Sequence, residues 1–170
     1  MLILLRTFFD IALLRQGPEQ LPRLTVFLVF AALFWLSSIL LTWFLLDDFT
    51  GFSVVRSIVS NLLSLFLFTL FIAARGRAVR LTQMYTAILG ATAYIAFATT
   101  AFLLLLQPTG NVLVLGILAS WAWSVQVEGS IVSRTADVSL AGGVAVAAFV
   151  LIVQLLVNDF LIVVQQTPSA

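Results

Sequence analysis

The stretch that decides the fold is 75-RGRAVRLTQMYTAILG-90, in which three arginines stand at the start of a long apolar segment. That segment runs from Leu81 to Leu106 without a charged residue. At about 1.5 Å per residue it is long enough to cross the hydrocarbon core of a bilayer, which is about 30 Å thick, with some tilt. We therefore predict a membrane-spanning helix that begins directly after a basic anchor.

The composition of the whole chain indicates that most of its surroundings are lipid. Of its 170 residues, 62% are hydrophobic and only 9% are charged, whereas about 25% of the residues of soluble domains are charged. A water-soluble fold of this size could not cover its surface with so few charges. The net charge of +1 supplies no basic field for nucleic acid, so we expect no nucleic-acid partner.

Five apolar segments predict five membrane spans within one domain, residues 1–170, and hence an all-α helical membrane bundle. The predicted spans are residues 24–46, 57–74, 81–106, 112–132 and 138–157. Residues 2–15 form a shorter helix, in which Arg6 and Asp10 stand four residues apart and can pair. Because this helix is too short to span, we predict that it lies at the membrane surface as an amphipathic interfacial helix.

The arginines predict the orientation of the spans, since Arg in short loops marks the cytoplasmic side. With five spans, seven of the eight arginines fall on one side, and Arg56 alone falls on the other. We therefore place the N-terminus in the cytoplasm and the C-terminus in the periplasm of a bacterial inner membrane. Arg75, Arg77 and Arg80 then act as a topology anchor, and the alternative is a specific contact with anionic lipid or a partner.

Small residues recur at four-residue spacing in the third and fifth predicted spans. Ala87 and Ala91 lie beside Gly90, and Gly143 and Ala147 repeat the pattern. Small side chains allow helix backbones to approach closely, so we predict that these five positions are helix-packing sites. The contact is expected either inside the chain or, in the sharper interpretation, with another membrane subunit or a second copy of the chain.

The polar residues near the predicted spans are interpreted as structural. Glu128, Arg134 and Asp137 fall in one predicted cytoplasmic loop, where a local Arg134–Asp137 ion pair is expected rather than an acid–base set. Asp47 and Asp48 are expected to mark the end of the first span rather than to bind a cation. The uncharged polar residues in or near the membrane are expected to hydrogen-bond between helices: Asn61, Gln83, Gln154 and Asn158.

The residue types that the chain lacks argue against catalysis. It has no Cys, His or Lys, which removes thiolate and imidazole nucleophiles and the usual zinc and haem ligands. No predicted span carries a charged residue near its centre, as proton and ion pathways require. We therefore expect no enzyme activity, no catalytic residue, no cofactor and no metal.

The architecture resembles the Ypt/Rab-interacting protein (Yip) family, and its bacterial members in particular, over roughly residues 17–165. The common features are five spans, an inside N-terminus, a near-absent outer tail and the Gly/Pro break GPEQLP at residues 17–22. The segment 75-RGRAVRLTQMYTAILGATAYIAF-97 is similar to the basic loop and the Ala/Gly-rich third helix of such proteins. The resemblance implies a membrane protein without a catalytic motif. The eukaryotic Leu-Tyr-Gly-Pro and Gly-Tyr-Gly signatures are missing, so it implies no small-GTPase partner.

Two predictions of function follow. The first is a non-enzymatic accessory or scaffold subunit that packs against other membrane proteins or lipids. The alternative is a small transporter or lipid-handling membrane protein. The two differ at the membrane midplane, where a transporter needs a polar cavity and a scaffold is filled by Ala, Gly, Phe and Leu.

Overall fold

The computed structural model describes residues 2–46 and 51–166. Within those ranges the chain is all-helical, with six α-helices and no β-strand. The helices are α1 (Leu2–Ala12), α2 (Thr25–Leu45), α3 (Gly51–Ala74), α4 (Leu81–Leu106), α5 (Gly110–Ala136) and α6 (Leu140–Gln166). Short 3-10 turns at Pro18–Gln20 and Ala78–Arg80 precede α2 and α4.

Five of these helices, α2 to α6, are long and apolar enough to cross a membrane, which fits a multi-pass membrane protein. Their bounds differ from the predicted spans chiefly in α3, α5 and α6. α6 continues past Asn158 and Asp159 to Gln166, so the predicted end at residue 157 is wrong. α3 begins at Gly51, so Arg56 lies inside the helix. α5 continues to Ala136, so Arg134 is helical and the prediction that it lies in a loop is wrong. The reason is that Ser133, Thr135 and Ala136 are buried, so this last turn packs inside the bundle.

The α4–α5 connection is a tight turn built from residues that end a helix. Gln107 adopts the left-handed conformation at φ 40° and Gly110 does so at φ 55°. Pro108 cannot donate a backbone hydrogen bond and so cannot continue α4. Only three residues separate the two helices, which makes them antiparallel neighbours.

α1 packs into the bundle, against α4. Phe8 is fully buried, and its ring lies over Gly90. The same ring stacks on Phe30 and Phe34 of α2, with ring centroids 6.5 Å apart in each case. At the end of α1, Trp123 of α5 donates a hydrogen bond from Nε1 to the carbonyl of Ala12 at 2.7 Å. α1 is therefore held on one face by α2, α4 and α5.

The remaining helices form a connected bundle with two distinct ends. α4 contacts both α2 and α5, α5 contacts α6, and α6 contacts α3. We call the end that carries Arg77, Arg80 and Arg134 the arginine end, and the end with the turn at residues 107–109 the opposite end. Most fully buried side chains of the long helices lie in the half nearer the arginine end, for example Phe68, Ile72, Met84, Ala87, Val127, Ile131, Val132, Ala147 and Val150.

Candidate functional site

The predicted packing residue Gly143 lies where α5 and α6 approach each other most closely. A Cβ atom added at Gly143 would meet the carbonyl of Gly129 and would lie 2.7 Å from the Cβ of Ser133. The contact is reciprocal, because a Cβ added at Gly129 would lie 2.6 Å from the Cα of Val144. Only glycine on both helices permits this backbone-to-backbone approach.

The other predicted packing residues are also covered by the chain's own helices. Ala87, Ala91 and Ala147 have no exposed surface. Gly90 accommodates the aromatic ring of Phe8 rather than the backbone of a neighbouring helix. All five small residues are thus covered by other helices of the same chain, so a second subunit would have to bind at other surfaces.

The charged residues at the arginine end pair across the sequence. Asp137 forms an ion pair with Arg77 at 2.7 Å through Oδ2 and accepts a hydrogen bond from Arg80 at 2.9 Å through Oδ1. Arg134 instead binds Glu19 at 2.8 Å. The predicted Arg134–Asp137 pair is therefore wrong, since Asp137 ends α5 in the left-handed conformation and turns toward the α3–α4 connection.

A polar pocket of about 410 Å³ lies at the arginine end, and we call it the arginine pocket. It is lined by Pro18, Glu19, Arg23, Arg80, Gln83, Arg134, Thr135 and Asp137. Gln83 organises one wall, because its Nε2 donates to the carbonyl of Leu21 at 2.6 Å and its Oε1 accepts from Nε of Arg23 at 3.2 Å. Of the three predicted anchor arginines, Arg80 lines this pocket, whereas Arg75 and Arg77 do not.

A second, apolar depression of about 540 Å³ lies between α1, α4 and α5, and we call it the α4–α5 groove. Its lining includes Phe9, Leu13, Tyr94, Phe97, Phe102, Gly116, Ala119 and Trp123. The end of α1 forms one wall, so this short helix contributes directly to the shape of the groove. Its volume falls in the range of ligand-binding pockets, about 300–1,000 Å³.

Most polar groups of the groove are already paired within the protein. The hydroxyls of Thr99 and Ser120 bond to each other at 2.6 Å, and Thr99 also donates to the carbonyl of Ile95. The indole N–H of Trp123 is bonded to Ala12. Tyr94 also lines the groove, and its hydroxyl has no hydrogen-bond partner in residues 2–46 and 51–166.

A smaller cavity of about 230 Å³ borders the groove and is lined by several hydroxyls, those of Thr42, Thr92, Thr99, Thr100, Ser120 and Ser124. Thr42 and Thr100 bond across α2 and α4 at 2.7 Å. All of these hydroxyls except that of Ser124 pair with each other or with their own helix backbone, as Thr92 does with Ile88. The hydroxyl groups around this cavity therefore connect neighbouring helices by hydrogen bonds.

The predicted polar contacts between helices are found at two of the four positions. Gln154 and Asn158 of α6 both bond to Ser60 of α3, at 3.1 and 3.2 Å. Asn61 instead donates to the carbonyl of Ser57 on its own helix, so its predicted role is wrong. Gln83 bonds to the segment before α2 rather than to another long helix.

The remaining acidic residues with a role predicted from the sequence are Glu128, Asp47 and Asp48. Glu128 lies inside α5, half-buried, and forms no ion pair with the residues that the structure describes. Asp47 and Asp48, interpreted as the end of the first span, lie outside the described residues. Within the described ranges, no group of three or more acidic side chains is arranged to hold a metal ion.

Sequence reasoning missed the partners that complete both sites. Glu19 lies within the Gly/Pro break and Arg23 directly follows it, and these charges were the available signal for a packed segment. The sequence identified Phe9 and Trp123 as apolar residues but gave no sign that they line the same groove, because nothing local indicates that α1 contacts α5.

A comparison with protein-family models, with curated proteins and with solved structures finds no match for this chain.

Proposed function

We propose that this chain is a non-enzymatic multi-pass membrane protein that binds a lipid acyl chain in the α4–α5 groove. This is the lipid-handling function, the alternative of the two predicted from the sequence. The observation that carries it is a groove of about 540 Å³ with an apolar lining, formed on helices long enough to cross a membrane.

The paired state of the groove's polar groups favours an apolar occupant. A polar solute would need donors and acceptors that are free to replace its hydration, and those of Thr99, Ser120 and Trp123 are engaged. A hydrocarbon chain needs only contact with the aromatic and aliphatic walls.

Photolabelling tests this proposal directly. The protein is reconstituted with phospholipid that carries a diazirine in its acyl chain, irradiated, and digested for peptide mass spectrometry. We expect adducts concentrated on peptides that contain Phe97, Phe102 and Trp123. Uniform adducts over every lipid-facing helix would contradict a specific groove.

A pair of alanines on α5 supplies the matched control. Ala119 lines the groove, whereas Ala122 is also exposed but does not line it. Ala119→Phe should fill the groove and reduce labelling there severalfold, and Ala122→Phe should leave it unchanged. An equal effect of the two variants would count against binding in the groove.

The second proposal is the accessory or scaffold subunit, and the observation that favours it is an exposed apolar row on α2. Val26, Val29, Leu33, Leu40 and Phe44 share one face of that helix and are 41–74% exposed. Another membrane helix can lie along such a row. A photoreactive residue in place of Leu33 should then crosslink to one defined protein in native membranes, and crosslinking to lipid alone would argue against a subunit role.

We also propose a bacterial inner-membrane location with the N-terminus in the cytoplasm, and the likeness to Yip-type proteins remains part of the same proposal. Single cysteines test the orientation without background, because the native chain has none. Ala78→Cys and Ser139→Cys, both exposed at the arginine end, should label only from the cytoplasm. Thr109→Cys, exposed in the α4–α5 turn, should label only from the periplasm; labelling of residues 78 and 109 from the same side would refute the arrangement.

A further inference from the structure

We propose that the arginine pocket binds a phosphate group, held by the guanidinium groups of Arg23, Arg80 and Arg134. These three side chains come from three separate segments, directly before α2, directly before α4 and in the last turn of α5. They line one pocket of about 410 Å³. Neither the groove nor the small-residue positions contribute to this site.

Each of the three arginines is held in place and still has a free donor group. The Nε–H of Arg23 donates a hydrogen bond to Gln83, and neither of its terminal NH₂ groups is hydrogen-bonded to the described residues. Arg134 uses Nη1 on Glu19. Arg80 uses Nη1 on Asp137 and on the carbonyl of Arg134. Nη2 of Arg134 and of Arg80 forms no hydrogen bond within the described part of the chain.

The charge balance of the pocket favours an anion. Three guanidinium groups line it against the two carboxylates of Glu19 and Asp137. Arg77, from outside the lining, occupies the second oxygen of Asp137 and offsets that charge further. Arg23 forms no ion pair with the residues that the structure describes, so its charge is available to a ligand.

The position of the pocket suits a phosphate at the surface of a bilayer. It lies where the apolar parts of α2, α4 and α5 end, which is the level of lipid headgroups if these helices span. Guanidinium groups bind phosphate oxygens through paired hydrogen bonds, and basic pockets between spanning helices bind anionic headgroups. Phosphate is therefore the shared chemistry, and a lipid headgroup and a free phosphate are its two sources.

Lipid binding measured by native mass spectrometry tests the site. The probes are phosphatidylglycerol, which carries a phosphate, and diacylglycerol with the same chains, which does not. Arg23→Gln should weaken phosphatidylglycerol binding about tenfold, the loss expected for one charge-assisted contact. Arg75→Gln is the matched control, since Arg75 is exposed at the same end but does not line the pocket, and it should change binding less than twofold.

Competition distinguishes the two sources. If millimolar inorganic phosphate displaces phosphatidylglycerol, the pocket takes the phosphate group by itself. If it does not, while the effect of Arg23→Gln persists, the headgroup of an anchored lipid is the ligand. Equal losses in Arg23→Gln and Arg75→Gln, or a loss of diacylglycerol binding in Arg23→Gln as large as that of phosphatidylglycerol, would overturn the proposal.

Arginine footprinting of the native protein keeps the proposal testable if Arg23→Gln does not fold. Phenylglyoxal modifies accessible guanidinium groups, and the modified peptides are identified by mass spectrometry. Phosphatidylglycerol should protect Arg23 and Arg134 severalfold but leave Arg75 reactive. Equal protection at all three arginines would indicate general electrostatic attraction and contradict a built site.

Discussion

The half of the bundle nearer the arginine end and the half nearer the opposite end are held together by different interactions. In the first, buried Ala, Gly, Ile and Phe side chains fill the space between helices, and ion pairs join the loops. In the second, long stretches of α3, α5 and α6 expose large apolar side chains, such as Val55, Leu115 and Phe160. The groove extends into this more open half as far as Phe102 and Gly116.

Side-chain hydrogen bonds connect the helices where they are less closely packed. Thr42–Thr100 joins α2 to α4, and Thr99–Ser120 joins α4 to α5. Trp43–Ser57 joins α2 to α3. The comparison teaches that the closest backbone approach lies in the arginine half, whereas most side-chain hydrogen bonds between long helices lie in the opposite half. The hydroxyl pair Thr69–Tyr85 joins α3 to α4 in the arginine half. Close backbone approach and side-chain hydrogen bonds are two means by which helices associate without a hydrophobic driving force. The four changes below test that difference.

The largest effect is expected at the α5–α6 crossing. Gly143→Leu would drive a side chain into the backbone of α5 at Gly129 and Ser133. Overpacking a core costs about 1–3 kcal/mol and occasionally more, and backbone atoms cannot rotate away, so we expect a loss of roughly 3 kcal/mol or above. The free energy of unfolding in SDS, followed by tryptophan fluorescence, measures it.

The neighbouring glycine provides the control for this change. A Cβ added at Gly142 would lie 3.3 Å from Oγ of Ser139 and otherwise in ordinary contact. Replacing a helical Gly with Ala stabilises by roughly 0.5–1 kcal/mol, so Gly142→Ala should be at least as stable as the native chain. Similar losses at residues 142 and 143 would show that the crossing is not the close contact described.

The next effect concerns Phe8, which fastens α1 to the bundle. Removing a buried Phe side chain costs about 3–5 kcal/mol in soluble cores, and the packing part of that cost persists in lipid, so we expect about 2 kcal/mol for Phe8→Ala. Phe160 lies in the opposite half and is 66% exposed, so Phe160→Ala should lower the free energy of unfolding only slightly. A loss at Phe160 as large as that at Phe8 would mean that another chain covers the opposite half in the purified protein.

A smaller effect is expected from the ion pairs. Asp137→Asn removes the charge that Arg77 and Arg80 share, but all three side chains are 36–47% exposed, and exposed ion pairs contribute about 0–1 kcal/mol. We expect a loss of about 1 kcal/mol in low salt that diminishes in 0.5 M NaCl. Unfolding measured at both salt concentrations checks this, and a salt-independent loss would point to a structural role for the carboxylate instead.

The smallest effect belongs to the hydroxyl pair Thr42–Thr100. Hydrogen bonds between membrane helices contribute about 0.6 kcal/mol on average. A double-mutant cycle with Thr42→Val and Thr100→Val should give a coupling free energy of about that size. A coupling free energy near zero would show that this hydrogen bond does not stabilise the opposite half. A value above about 2 kcal/mol would show that the pair is packed more tightly than the structure indicates.

Local composition predicted the elements of the fold but not their contacts. Hydropathy located the five long apolar helices because each consists of a run of residues with a sharp change at its ends, such as Arg80 before Leu81. It could not locate the end of α5, because the burial of Thr135 and Ala136 depends on what packs beside them. It also could not predict that the ring of Phe8 packs against Gly90. A small residue leaves space that either a neighbouring helix backbone or an aromatic ring can fill.

The sequence by itself determined that this chain forms long apolar helices with arginines concentrated in particular loops, because length and hydropathy are properties of each segment alone. Only the tertiary structure decided how those segments meet. It brought Arg23, Arg80 and Arg134 around one pocket, paired Arg134 with Glu19 rather than Asp137, and placed the end of α1 in the wall of the groove. The physical reason is that these contacts depend on the rotation, tilt and depth of each helix, which are set by the packing of the whole bundle and by no single stretch of it.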